Sequence, residues 1–398
     1  MSRTAAATRA ALLSILILLA LAATAQTAQD KPPLDDASWS LFQRIFSMVL
    51  KDYVEPKTPQ DLVLGALKGA ASSAGPECAY IPPEDVAAYR AAEAEHAVLP
   101  LYITKDTDFA KVIAPFPGQD AAVRPGDGLR FIGARSTYDL TYPQVIVAMR
   151  GAEGEKVRCI FIKQESWQSY TVTLSRQAPT PPRWVPLGNG SGALVLPCIE
   201  ASMPREVANA LHAAKGPVVL DLRGCASGDV HAAFRWIGEL LGKGLSPARK
   251  GPSGVLRDPV SGQGYLAGKA VRILADETTA RGGEMLVAAL AGTGATLVGK
   301  PTFGWAPFSQ DFPLENGGLL RLNTAYFLAP GGEPLKGHPI PPTIPLTLPE
   351  GAKPEEAYRA VLKAQPPATP PPEKAQAKES AAPSGKATEK SKGGGNGR

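Results

Sequence analysis

The residues Val271-Arg272-Ile273-Leu274-Ala275-Asp276-Glu277-Thr278-Thr279-Ala280-Arg281-Gly282-Gly283-Glu284-Met285-Leu286 change their hydrophobic pattern at the midpoint. Four of the first five are apolar, over a length that suits a strand, and apolar residues resume at Met285 and continue to Ala291. A polar turn with two glycines lies between them, so the stretch predicts a buried strand over 271–275 and a helix over 283–291. Flanking sequence repeats the alternation, with strands expected at 193–197, 218–222 and 296–299 and helices at 204–214 and 230–241. Apolar strands between helices predict an α/β layer with parallel strands across 179–350, and a site in the loops beyond the carboxyl ends of those strands.

Upstream, over 97–178, the pattern becomes short β-rich runs at 99–103, 111–114, 129–132, 156–162 and 169–174, interrupted by one helical segment at 142–149. Val123-Arg124-Pro125-Gly126-Asp127-Gly128-Leu129 is a turn that feeds directly into a strand. A compact, partly open β-barrel is expected there. Over 26–96, Trp39, Leu41, Phe42, Ile45, Phe46, Val49 and Leu50 recur at helical spacing, and Leu62, Leu64 and Leu67 mark a second helix; together they predict a small helical cap.

The ends have a different character. Arg3 and Arg9 precede an uncharged apolar run over 10–23, and Ala23-Thr24-Ala25 offers a small-x-small cleavage site, so 1–25 reads as a signal peptide. The run is shorter than the ~20 apolar residues a membrane span needs, and an uncleaved signal segment is the single membrane attachment the sequence suggests. The protein is therefore expected in the periplasm or cell envelope. Residues 364–398 are Pro, Ala, Lys, Glu, Ser and Gly without an aromatic residue, the composition of a disordered basic tail. With 44% hydrophobic and 20% charged residues, the 398-residue chain is otherwise globular, and its net charge of +5 comes largely from the two ends. Nothing else supports a nucleic-acid partner.

No cofactor or metal is expected, since the four histidines, His96, His212, His231 and His338, and the four cysteines, Cys78, Cys159, Cys198 and Cys225, lack ligand spacing. One or two disulfides and isolated buried thiols are both compatible with those cysteines.

The segments AAVRPGDGLRFIGA and MRGAEGEKVRCIFIK, at 121–134 and 149–163, resemble a PDZ domain of the kind found in bacterial exported proteases. That resemblance implies that a polypeptide adds to a sheet edge, with Leu99, Leu101, Ile103, Val145 and Met149 as the peptide-binding residues. Val98-Leu99-Pro100-Leu101 stands where such domains carry a Gly-containing loop, and its proline removes a donor. Further on, VVLDLRGCASGD (218–229), ILADETTARGGEML (273–286) and VGKPTFGWAPFSQ (298–310), with the upstream GPECAYIPPED (75–85), resemble the tail-specific or C-terminal processing serine peptidases. The implied fold is the α/β core of that family, of the ClpP/crotonase-like type, joined to a PDZ β-barrel domain and an N-terminal helical cap.

The same resemblance implies a serine nucleophile and a lysine base, and neither is retained. Arg281 occupies the nucleophile's position and Trp305 the base's; guanidinium and indole supply donors alone. Ser227 replaces the first glycine of the family's Pro-Gly-Gly oxyanion turn, followed by Gly228, and Gln310 falls one place beyond the family's glutamine. Glu77 lies in the Gly-Pro-Glu-Cys that replaces the family's usual Asp-Pro-His-Ser, a segment read as structural. Thr279 with Lys300, or Cys225 with His231, would be the substitutes for the dyad, and their spacing argues against both.

The expected protein is thus an exported pseudopeptidase that binds polypeptide segments or C-termini. Its alternatives are an active serine-type endopeptidase with unusual residues and a regulatory partner of an active homologous protease. Arg281 and Trp305 are contact residues for the bound polypeptide, plugs of the former site, or neutral filling.

Overall fold

The computed structural model describes residues 35–94, 97–117, 122–199, 202–349 and 351–366. The expected signal peptide, His96 and nearly all of the expected tail lie outside them.

Helices α1 (Asp36–Asp52) and α2 (Pro59–Ser72) come first. The Asp35 carboxylate accepts the Ser38 N–H at 2.6 Å, and Thr58 and Asp61 make a reciprocal capping box at the start of α2. The apolar stripe predicted for α1 is present, yet no residue of the helix is buried, and Trp39, Phe42, Ile45 and Met48 are exposed. Phe46 and Val49 are the half-buried members of its stripe. The chain then forms β1 (Ala79–Ile81) and α3 (Pro83–Ala94). Periodicity misses α3 because its stripe is built largely from alanine.

The next region contains β2 (Leu101–Thr104), β3 (Ala110–Pro115), β4 (Gly128–Ile132), β5 (Arg135–Ser136), α4 (Tyr142–Met149), β6 (Lys156–Ile162) and β7 (Ser169–Ser175). Its antiparallel sheet runs β2-β3-β4-β6-β7, with β5 on β4, around a core that includes Leu99, Leu129, Val145 and Phe161. The predicted strands and the helix of this small domain fall where expected.

The larger domain opens with β8 (Arg183–Gly188), β9 (Ser191–Val195), α5 (Arg205–Ala213), β10 (Val218–Asp221) and α6 (Val230–Leu241). Four short strands follow: β11 (Gly244–Leu245), β12 (Arg249–Gly251), β13 (Gly254–Leu256) and β14 (Pro259–Val260). The rest is β15 (Val271–Ala275), α7 (Gly282–Ala291), β16 (Thr296–Gly299), β17 (Pro307–Pro313), β18 (Leu319–Phe327), β19 (Ile344–Pro345) and α8 (Pro354–Lys363). The main sheet is ordered β19-β16-β15-β10-β9-β8, parallel except where β8 meets β9. A second sheet, β1-β18-β12-β13 with β17 on β18, ties the N-terminal segment to this domain through Ala79↔Arg321.

The expected boundary at 350 is too short. Helix α8 buries Tyr358 and Val361 against the main sheet, and the Tyr358 hydroxyl donates to Asp221 at 2.9 Å. Its ten residues mix Glu, Arg and Lys with two alanines, so the stripe of Ala357, Tyr358 and Val361 gives little signal. All four cysteines are buried free thiols, and burial pushes Cys159 up to about 12.

Candidate functional site

Beyond β15 the chain turns through Asp276–Ala280 into α7, and that turn is tied to the one after β10. Thr279 Oγ1 donates to the Leu222 carbonyl at 2.9 Å, and the Gly224 N–H donates to Thr278 Oγ1 at 2.6 Å. Gly283 permits the close approach, because a Cβ there would lie 2.4 Å from the Cys225 carbonyl oxygen. Arg281 opens α7 with φ 48° and ψ −116°, a left-handed conformation costing of order 1–3 kcal/mol in a non-glycine residue. A strained strand-to-helix elbow is how a nucleophile is presented. Here the elbow persists with an arginine on it.

The arginine side chain is buried. Its Nη2 donates to Glu77 Oε1 at 2.5 Å and to the Ile103 carbonyl of β2 at 2.8 Å. The Trp305 Nε1 donates to the same Glu77 oxygen at 2.8 Å, and the Arg281 N–H donates to the Trp305 carbonyl at 2.8 Å. Positions 281 and 305 therefore face each other as the sequence reading requires, and a carboxylate sits between them. Glu77, itself at φ 65°, is the functional residue the sequence reading passed over. Its signal in the sequence is a charged residue in one motif of the resemblance, at a point where two other motifs also depart from the family's pattern.

Glu284 shapes the facing turn: its carboxylate accepts Thr302 Oγ1, the Gly304 N–H and the Trp305 N–H at 2.5, 2.7 and 2.8 Å. Burial nevertheless pushes its carboxyl up to about 7. A group that holds its proton more tightly when folded favours the native state most below its ordinary value of 4.5, and that contribution is lost as pH rises to about 7. Urea unfolding from pH 5 to 7 should accordingly show the stability advantage of wild type over Glu284→Gln shrinking, by at most about 3 kcal/mol. A gap that widens with pH would mean the carboxylate is the preferred buried form.

The oxyanion region is occupied from within. The N–H of Gly282, the donor that follows the elbow residue, is given to the Ser227 carbonyl at 3.0 Å. Ser227 Oγ accepts the Ile199 N–H at 2.8 Å and lies 3.4 Å from the Tyr102 hydroxyl of β2. Neither substitute dyad assembles. Thr279 is fully buried on the Leu222 carbonyl, whereas Lys300 pairs with Glu277 at the surface at 3.1 Å. Burial likewise holds the Cys225 thiol far above the usual range, and His231 is exposed.

A cleft of about 800 Å³ separates the two domains, with Ser227, Gly228, Gln310 and Arg281 along the larger domain. Of the five expected peptide-binding residues, Leu101, Ile103 and Met149 line it. Leu99 and Val145 do not; both are fully buried in the small domain's core, and α4 turns Ile146 toward the cleft instead.

An elbow at the head of a helix, a facing turn and a cleft over the carboxyl ends of parallel strands make the frame on which an α/β enzyme presents a nucleophile. Residues 190–346 match the sequence model of peptidase family S41. The chain is 21% identical to the carboxy-terminal processing protease CtpA of Bacillus subtilis, over 80% of this chain and 71% of that one. It is 23% identical to the carboxy-terminal-processing protease of Bartonella bacilliformis, over 77% and 75% respectively. The solved photosystem II D1 C-terminal processing protease shares the fold with a TM-score of 0.62 at 20% identity, covering 78% of this chain and 86% of that chain. The chain thus carries the S41 peptidase fold and is a relative of the C-terminal processing peptidases.

Proposed function

We propose that this protein is an exported, non-hydrolytic relative of the C-terminal processing peptidases. It holds an extended polypeptide in the cleft between the S41 core and the small domain, which we read as a PDZ domain. One observation carries the reading: a single Glu77 oxygen accepts both Arg281 Nη2 and Trp305 Nε1, at the two positions where the resemblance calls for a nucleophile and its base. Arginine has no nucleophilic oxygen and an indole N–H accepts no proton. Losing such a unit removes all but roughly 10³ to 10⁴ of the acceleration over water, and the Ser227 carbonyl takes the Gly282 donor on which part of that remainder depends.

The leader-like residues 1–25 support export, and among the described residues no helix is long and apolar enough to cross a membrane. An active homologous peptidase is a natural partner for such a holder, and capture from periplasmic extract tests for one.

The expected result with β-casein as an unfolded probe is binding without cleavage. Fluorescence anisotropy of labelled casein rises on titration with the protein, and electrophoresis after prolonged incubation shows intact casein. Specific fragments would sink the non-hydrolytic reading, and a flat titration would sink the holding one.

A further inference from the structure

A polypeptide held in extended form needs backbone partners as well as side-chain contacts. In the small domain, the edge next to α4 belongs to β2, and two of its outward groups, the Ile103 carbonyl and the Leu101 N–H, are already engaged. The Ile103 carbonyl accepts Arg281 Nη2 at 2.8 Å, and the Leu101 N–H turns back onto the Leu99 carbonyl at 2.6 Å. The residue that displaced the nucleophile therefore caps the edge on which a PDZ-type ligand would be built.

The opposite wall of the cleft offers a different edge. Strand β17 pairs with β18 on one side, and Phe308, Ser309, Gln310 and Asp311 face the cleft. The register fixes which of its amides point outward. In β18 the Asn323 N–H is directed away from β17, onto Cys78 Sγ at 3.4 Å, and the Asn323 side chain donates to the Pro76 carbonyl on that same side. Alternate residues of a strand turn their backbone groups the same way, so Arg321 also faces the β1 side, where it is the partner of Ala79. The ladder between β17 and β18 must then run through Gln310↔Leu322 and Phe312↔Leu320. Ser309 and Asp311, opposite Asn323 and Arg321, are left with N–H and C=O pointing away from β18.

We infer that the held polypeptide adds as a strand to the outer edge of β17, on the backbone of Ser309 and Asp311, and not to β2. This inference rests on the reading of the cleft as a polypeptide holder. The occupant is an extended main chain because the edge presents a repeating donor and acceptor pattern that no other ligand class matches over two residues. Prolines at 307 and 313 bound the edge, and Pro313, the next outward position, has no N–H to offer. Pairing is thereby confined to a short window, which keeps an open edge from becoming a general aggregation site.

Two measurements on the full mature chain test this with β-casein as the probe. Ser309→Pro removes an outward donor while leaving the backbone ladder to β18, and should weaken casein binding about tenfold, whereas Ser309→Ala, which loses the same Ser309 Oγ bond to Asn323, should change it little. Hydrogen exchange of the wild type should slow across 307–313 on saturation with casein, and remain unchanged across 99–104. Protection at 99–104 in place of 307–313, or full affinity in a folded Ser309→Pro variant, overturns the edge assignment and leaves the holding function standing. If the Ser309→Pro variant does not fold, exchange in the wild type decides alone. No casein binding by the wild type overturns the holding function and the edge together.

Discussion

Glu77→Ala is expected to lower the unfolding free energy by about 3–5 kcal/mol, the usual cost of removing one partner of a buried ion pair. The substitution strands two donors at once, since Arg281 Nη2 and Trp305 Nε1 share one carboxylate oxygen. The guanidinium would keep its Ile103 contact but lose its countercharge in a site where both pair members are nearly inaccessible. Arg281→Met in the Glu77→Ala background should recover most of the loss, because an apolar pair carries no desolvation penalty. Urea denaturation of the two single variants and the double variant gives the coupling directly. Independent, additive losses would show that Glu77 and Arg281 do not stabilise the fold as a pair. The experiment bears on function because the pair joins three parts of the chain: the N-terminal segment at Glu77, the small domain at Ile103 and the core at Arg281.

How much of this was visible in the sequence follows from which forces act locally. The strand at 271–275 and the helices at 142–149 and 230–241 appear where their apolar runs and glycine or proline boundaries place them. Positions 281 and 305 could be matched because short motifs on either side anchor each one. Glu77 could not, since it lies 204 residues from Arg281 and 228 from Trp305, and a lone carboxylate gives no periodic signal. The β17–β18 hairpin was missed for another reason. Strand Phe308-Ser309-Gln310-Asp311-Phe312 mixes polar and aromatic residues because it borders a cleft, so its alternation is weak. Helix α1 shows the converse failure: its stripe is strong, yet a stripe specifies an apolar face without naming what covers it.

Restoring only the dyad is expected not to restore catalysis. In the Arg281→Ser, Trp305→Lys variant the new ammonium would meet the Glu77 carboxylate that now accepts the indole N–H at 2.8 Å. A carboxylate that near favours the charged amine, raises its pKa and withholds the neutral base that a serine needs. Adding Glu77→Gln removes the countercharge. The triple variant should therefore cleave β-casein at least about tenfold faster than the double variant near neutral pH. Its activity should also rise at lower pH, because the amine becomes a base only above its own pKa and that value falls with the carboxylate gone. The Ser227 carbonyl would still hold the Gly282 N–H, so neither variant should approach an intact peptidase. Equal rates with the same pH inflection in the two variants would show that Glu77 does not govern position 305. Inactivity would then have to be traced to the occupied oxyanion donor, and Glu77 would be a structural anchor alone.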